Sequence, residues 1–217
     1  DRGRVGRRFT TRFWENDSAL GRERELLILV CKKWHVAKRV LGRVRQATNL
    51  PAIEYLFNEE NTALPDLGGI QTTLGKRTRH RRVLMRMLFD YYETDRLIVC
   101  IDPGNIELLH DFVSDRSITR ILEIECKFSD DYLIGHAMRV GLAGEHTSNG
   151  TMERLFPAIR NDIAFETDRI RDSQYEHYSR IRETATADDN AAALAKFLNV
   201  PQAKAYDIAN APYLFSD

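Results

Sequence analysis

GIQTTLGKRTRHRRVLMRMLFDYYETDRLIVCIDPGNIELLHDFV, residues 69–113, is the stretch whose reading decides the fold. Ile70 to Leu74 reads as an extended piece. It runs into a basic knot of Lys76, Arg77, Arg79, His80, Arg81 and Arg82. Behind the knot, Val83, Leu84, Met87, Leu88 and Tyr91 recur at the spacing of one apolar helix face. Leu97 to Ile101, LIVCI, is short, wholly apolar and rich in Ile and Val, which predicts a buried strand. Asp102 then fits an N-cap and Pro103 a first helical position, predicting a helix through Val113. Cations crowded at a helix start oppose the dipole there. The knot is therefore expected to receive an anion, on backbone N–H groups and side chains together.

Working upstream, Leu26 to Cys31, LLILVC, reads as a second buried strand. KKWH reads as a turn and VAKRVLGRVRQAT as the return strand of a hairpin. Asn49-Leu50-Pro51 ends that element, and residues 52–60 read as a short helix. Phe9, Phe13 and Trp14 would anchor a first strand or helix. Downstream, Leu122, Ile124, Cys126 and Phe128 alternate with Glu123, Glu125 and Lys127, the period of a strand with one wet face. Gly141, Gly144, Asn149 and Gly150 mark a loop. Beyond it, Leu155, Ile159, Ile163, Ile170, Tyr178 and Ile181 follow roughly helical spacing, with Pro157 in the first turn, and 191–210 read as two short helices. Alternating strands and helices between 26 and 128 predict a sheet with helices packed on it.

Net charge is zero, yet residues 1–50 carry 13 Lys/Arg against 5 Asp/Glu, and residues 101–217 carry 12 against 20. That asymmetry suits an anionic partner for the basic half, or attraction between the halves within the fold. No apolar run approaches the roughly 20 residues of a membrane helix, and no signal peptide opens the chain, so a cytoplasmic protein without a membrane partner is expected. A chain opening on Asp1 reads as a fragment or a processed product. Cys31, Cys100 and Cys126 are far apart in apolar stretches and read as small buried hydrophobes, with a catalytic thiol as the alternative. Without CxxC, HExxH or spaced histidines, no metal site is predicted.

The order of elements resembles the GNAT acyltransferase superfamily, and within it the N-acyl amino acid synthases and acyl-homoserine-lactone synthases. The likeness covers roughly residues 9–165. It rests on Gly42 and Arg45 in LLILVCKKWHVAKRVLGRVRQ, on Leu50-Pro51 and LFN at 56–58, on LIVCIDPGNIELLHDF behind the basic turn, and on PAIRNDIAF at 157–165. The strand before the turn, IQTTL, lacks the Glu and Arg usual there. The resemblance implies an α/β (α+β) fold: a GNAT-like mixed central sheet flanked by helices over 1–150, with a helical C-terminal extension over 151–217. It implies an N-acyltransferase that takes an acyl-phosphopantetheine thioester, on an acyl carrier protein or coenzyme A, and hands the acyl group to an amine such as an amino acid. Gly75, Lys76, Arg77, Thr78, Arg79, His80, Arg81 and Arg82 would cradle the phosphate. Arg45 would bind a substrate carboxylate. Glu54, Glu59 or Glu60 would be the base, and Tyr91 or Tyr92 would protonate the leaving thiolate.

The other end of the chain resembles a repressor-type helix-turn-helix, over 188–211. Ala195 takes the small position, Asn199 the turn, Val200 the apolar plug, and Ala205 and Ile208 the packing positions, with RIRE at 180–183 as a preceding helix. The resemblance implies a nucleic-acid partner read by QAKAYDIAN in the major groove. Lys204 is the one cation of that segment.

Overall fold

A computed structural model describes residues 24–54, 88–104, 118–172 and 177–216. The strand at 70–74, the helix at 105–113 and the element around Phe9 and Trp14 lie outside the described residues. In chain order come β1 (Glu25–Cys31), α1 (Trp34–Thr48), β2 (Ala52–Glu54), β3 (Arg96–Ile101), β4 (Ile118–Glu125), α2 (Asp130–Arg139), α3 (Asn149–Asp172), β5 (Tyr178–Arg182), α4 (Ala187–Leu198) and α5 (Gln202–Ala209). The strands form one sheet in the order β2-β3-β1-β4-β5. Each neighbouring pair is parallel, with Ile28 beside Val99 and Ile121 at the centre. The α/β class read from the sequence holds, as a five-stranded sheet flanked by helices, but the mixed sheet that the resemblance implies does not form, since every described pair is parallel.

Two elements correct the expected hairpin. Residues 34–48 are a helix, not a return strand, because Val36, Ala37, Val40, Leu41 and Val44 bury one helical face against the sheet. Gly42 stands on the exposed side with nothing near it, so it marks no strand. Asn49, in the left-handed region, ends the helix by donating its N–H to the Arg45 carbonyl. Residues 52–54, read as the start of a helix, are instead β2, and Ile53 is buried in the sheet's other face. A strand that leads straight into a helix demands a crossover, and β1–α1–β2 makes one, skipping over β3.

The two faces of the sheet carry separate cores. Leu27, Leu29, Ile98, Cys100, Leu122 and Ile181 meet α1, α4 and α5. Leu26, Ile28, Val30, Val99 and Ile121 meet Leu88, Phe89 and, from α3, Ile170. A third cluster lies away from the sheet, between α2 and the earlier turns of α3: Leu133 and Ala137 against Met152, Phe156, Ile159 and Ile163. Helix α3 begins at Asn149, so Pro157 sits in its interior. Pro157 is on the exposed side, where the carbonyl that its missing N–H leaves without a helix partner is open to solvent.

The C-terminal stretch, expected to be helical, adds a strand to this same sheet. Tyr178, Ile181 and RIRE lie on or just after β5, since Ile181 packs in the α1 face and Tyr178 in the other. The α4–turn–α5 pair forms as read, with Asn199 left-handed at the turn and Ala205 and Ile208 buried. Buried Asn190 fastens α4 to β5 by accepting from the Arg182 N–H and donating to the Arg182 carbonyl, both at 2.9 Å. Across the sheet, buried Glu123 accepts two bonds from Arg171 of α3, at 3.0 and 2.6 Å, and one from the Tyr178 hydroxyl. Among the described residues no helix is long and apolar enough to cross a membrane.

Candidate functional site

In a parallel sheet the binding crevice forms at the carboxyl ends of the strands, where neighbouring strands send their connections to opposite faces. Here β1 feeds α1 on one face, whereas β4 leads through α2 to α3, whose Ile170 packs on the other. Beyond the ends of β1, β3 and β4 a charged cluster assembles. Lys32 directly follows β1, and its Nζ lies 2.6 Å from Glu166 Oε2 of α3 and 3.3 Å from Asp102 Oδ1 after β3. Asp102 is fixed from a second side, because Oδ1 accepts the Gly104 N–H at 2.9 Å. This is the capping role read for Asp102, here made to the turn at 103–104.

Helix α2 closes the site from the β4 side. Ser129 caps it by accepting from the Tyr132 N–H, with Asp130 and Asp131 in the favourable first turn. The Tyr132 hydroxyl donates to the Lys32 carbonyl at 3.2 Å. One turn on, the His136 ring stacks on Tyr132 at 6.3 Å, and Arg139 reaches His136 Nδ1 at 3.4 Å. Lys33, buried at the start of α1, lies over the rings of Phe128 and Tyr132 at 5.9 and 5.7 Å, within cation–π range.

These groups shift one another. Burial opposes the charge of Lys32, yet Asp102 and Glu166 outweigh it and hold the ammonium above its ordinary range. Burial, then the cations Lys32 and Arg139, lowers His136 below its ordinary value and leaves a neutral imidazole at neutral pH. Burial raises the Tyr132 phenol, so it stays a donor. The site therefore offers fixed positive charge beside a neutral proton acceptor, the pairing used to hold an anion and deprotonate a nucleophile.

The residues expected from sequence fall elsewhere. Arg45 is exposed near the end of α1, and Tyr92 precedes β3, so both sit toward the opposite, amino-terminal end of the sheet. The two are electrostatically coupled, and burial followed by the Tyr91 phenol raises Tyr92. Glu54 closes β2 toward the carboxyl end. Glu59, Glu60 and the cradle Gly75, Lys76, Arg77, Thr78, Arg79, His80, Arg81 and Arg82 lie outside the described residues. Cys31, Cys100 and Cys126 are buried, and none forms a disulfide among the described residues. Burial first, then Cys126 with its sulfur 3.9 Å away, pushes the Cys31 thiol well above its usual value, which suits packing rather than nucleophilic attack. Sequence reasoning passed over Lys32, Lys33, Tyr132, His136 and Glu166. The signal for the first two was present: two lysines immediately after an apolar strand, a position that in a parallel sheet opens on the crevice.

The chain belongs to a family of unknown function, DUF5928, whose model matches residues 1–217. No curated protein and no solved structure matches it.

Proposed function

We propose that the protein is a transferase that holds a phosphate-bearing co-substrate at the carboxyl ends of β1, β3 and β4. The observation that carries this reading is the gathering of Lys32 and Arg139 around neutral His136 at the point where the connections diverge. The proposed donor is the acyl-phosphopantetheine thioester that the sequence resemblance implies, on coenzyme A or an acyl carrier protein, and the acceptor is a small amine. In that reaction the amine nitrogen attacks the thioester carbonyl, the new C–N bond replaces the C–S bond, and the thiol leaves with a proton. Lys32 and Arg139 would hold phosphate, and His136 would take one proton from the substrate ammonium, freeing the amine nitrogen to attack. The GNAT likeness in particular rests on sequence alone. The test is incubation with acyl-coenzyme A and a panel of amino acids, reading free thiol and acylated product by mass spectrometry. The expected result is an N-acyl product from wild type, and none from His136→Gln. No product and no bound coenzyme A would remove this reading.

A nucleic-acid-binding reading is favoured by one observation, the helix–turn–helix arrangement of α4 and α5. Its exposed side offers Lys204 against Asp207, with Asp188 and Asp189 at the start of α4. Phosphate contacts supply most DNA affinity, so this surface is poorly equipped. A gel shift on random DNA that Lys204→Ala abolishes would support it.

A further inference from the structure

We propose that Lys32 is an oxyanion subsite and that the Glu166 carboxylate occupies, in the ligand-free protein, the place a phosphate oxygen of the co-substrate takes. The proposal rests on the phosphate-binding reading above and assigns its contact atom. Three observations carry it.

The two carboxylates on Lys32 are not equivalent. Asp102 is tied to its own loop by the Gly104 N–H, so it belongs to the wall of the site. Among the described residues, Lys32 is the one side chain that bonds Glu166. Glu166 arrives from α3, an element that reaches the site from outside the sheet, and its side chain is about one-third exposed. Displacing it moves one side chain and leaves the loops as they are. Asp102 then remains to orient the ammonium.

The space at that position is kept open by a residue without a side chain. A Cβ on Gly104 would lie 3.2 Å from Asp102 Oδ1 and 3.2 Å from Glu166 Oε1, tighter than ordinary contact. The backbone therefore comes close enough to those oxygen atoms that a side chain there would make them give way by a few tenths of an ångström. That is the use of glycine where a chain must come up against an anionic group.

The charge balance favours exchange. With Glu166 on Lys32, the pair and Asp102 together carry one net negative charge, while Arg139 acts on the same His136 and Tyr132 that Lys32 does. A phosphate group that replaces the carboxylate keeps the charge-assisted bond to Lys32 and adds oxygen atoms for Arg139. Glu166 is thus a specificity-determining residue: it excludes weak anions from Lys32 and yields to a polyanionic ligand.

The test is isothermal titration of the full chain with coenzyme A and, separately, inorganic pyrophosphate, at about 0.15 M salt, where surface charges beyond about 8 Å are screened. Glu166→Gln is expected to bind coenzyme A about tenfold more tightly than wild type, since one charge-assisted competitor is removed. Lys32→Gln is expected to weaken binding by tenfold or more. Asp162→Asn, which removes an exposed charge from the same helix, is expected to leave it unchanged. Circular dichroism confirms that each variant is folded, and Glu166→Gln keeps the question open to an answer should Lys32→Gln unfold. Equal or weaker binding by Glu166→Gln, with wild type still binding, overturns the subsite and leaves the phosphate-binding reading standing. An equal gain from Asp162→Asn overturns it as well, because a general field and not an exchanged group would explain both. Binding of neither probe by any variant overturns both. A tenfold gain for coenzyme A with none for pyrophosphate supports the subsite and assigns it to a phosphate presented on pantetheine.

Discussion

The sheet has a charged clasp at each end, and they are inverse in sign. At the amino-terminal end, Glu25 sits between Arg96 and Arg120. At the carboxyl end, Lys32 sits between Asp102 and Glu166. The difference lies in what the outer partners do with their remaining groups. Arg96 also donates to the Leu198 carbonyl at 2.7 Å, and Arg120 to the Lys196 carbonyl at 2.9 Å. Both satisfy the last turn of α4, where carbonyls are otherwise unpaired and cations are favoured. That clasp is saturated: each arm fastens a helix to the sheet. Glu166 has no such second duty among the described residues, and the carboxyl-end clasp is bordered by a neutral histidine and the further cation Arg139. One cluster holds the fold together, and the other holds a place.

Breaking the amino-terminal clasp gives the largest expected effect. Glu25→Ala leaves two guanidinium groups facing each other in a partly buried site, with the α4 carbonyls still on them. The expected loss is about 3 kcal/mol of unfolding free energy, at the low end for buried pairs because Arg96 is about one-third exposed. Urea denaturation measures it. Coenzyme A binding at the other end should be unchanged in the folded protein. A loss below about 1 kcal/mol, or a parallel loss of binding, would erase the contrast between the two ends.

The carboxyl-end clasp should show the opposite profile. Lys32→Gln is expected to lower stability by only about 1 kcal/mol, because Asp102 keeps the Gly104 N–H and Glu166 can turn to water. Its effect belongs on ligand binding. A smaller effect again is expected for Gly104→Ala, about 0.5 kcal/mol in stability or less, with binding weakened severalfold as the new methyl crowds the place proposed for the phosphate oxygen. Thermal unfolding and calorimetry on the same samples separate the two readouts. Were the glycine substitution silent in both, the close approach at Gly104 would have no bearing on the site.

How far this contrast was visible in the sequence depends on the residue. LLILVC and LIVCI announce central strands because both faces of a parallel strand are apolar. The alternation at 122–128 gives the later half of β4, although the strand ends at Glu125 and Glu123, on the face read as wet, is buried under Arg171 and Tyr178. Helix α4 starts at Ala187, four residues before the 191 read for it, because Thr186 caps it. The helix α1 was legible too, since Val36, Ala37, Val40, Leu41 and Val44 keep helical spacing. Three valines and the Gly42–Arg45 likeness pull the same letters toward a strand, and only burial against the sheet decides. The hairpin error then hid the site. Lys32 and Lys33 become ordinary turn residues in a hairpin, but stand at the mouth of the crevice in a crossover. Glu166 was beyond reach for a different reason. Its partner lies 134 positions earlier, and nothing local in PAIRNDIAFETD distinguishes it from Asp162 or Asp168.

The finest test of the contrast is the titration of His136, which reports on the carboxyl-end charges without disturbing them. Burial, then Lys32 and Arg139, lowers it below 6.5, while Glu166 and Asp102 pull the other way and the Tyr132 ring covers one face. The folded protein therefore binds this proton less readily than the unfolded chain. Its contribution to stability is fully present above the unfolded value near 6.5 and is lost as pH falls from there through the lowered folded value. His136→Gln should flatten that part of the stability curve. In an NMR titration the His136 ring should show a midpoint below 6.5 in wild type. It should move further down in Glu166→Gln, which removes an anion, and back up in Lys32→Gln, which removes a cation. Opposite shifts from two substitutions on one ion pair require His136 to sense that pair directly. A midpoint at or above 6.5 that neither substitution moves would separate the histidine from the clasp, and the carboxyl end would then be no more a site than the amino-terminal end.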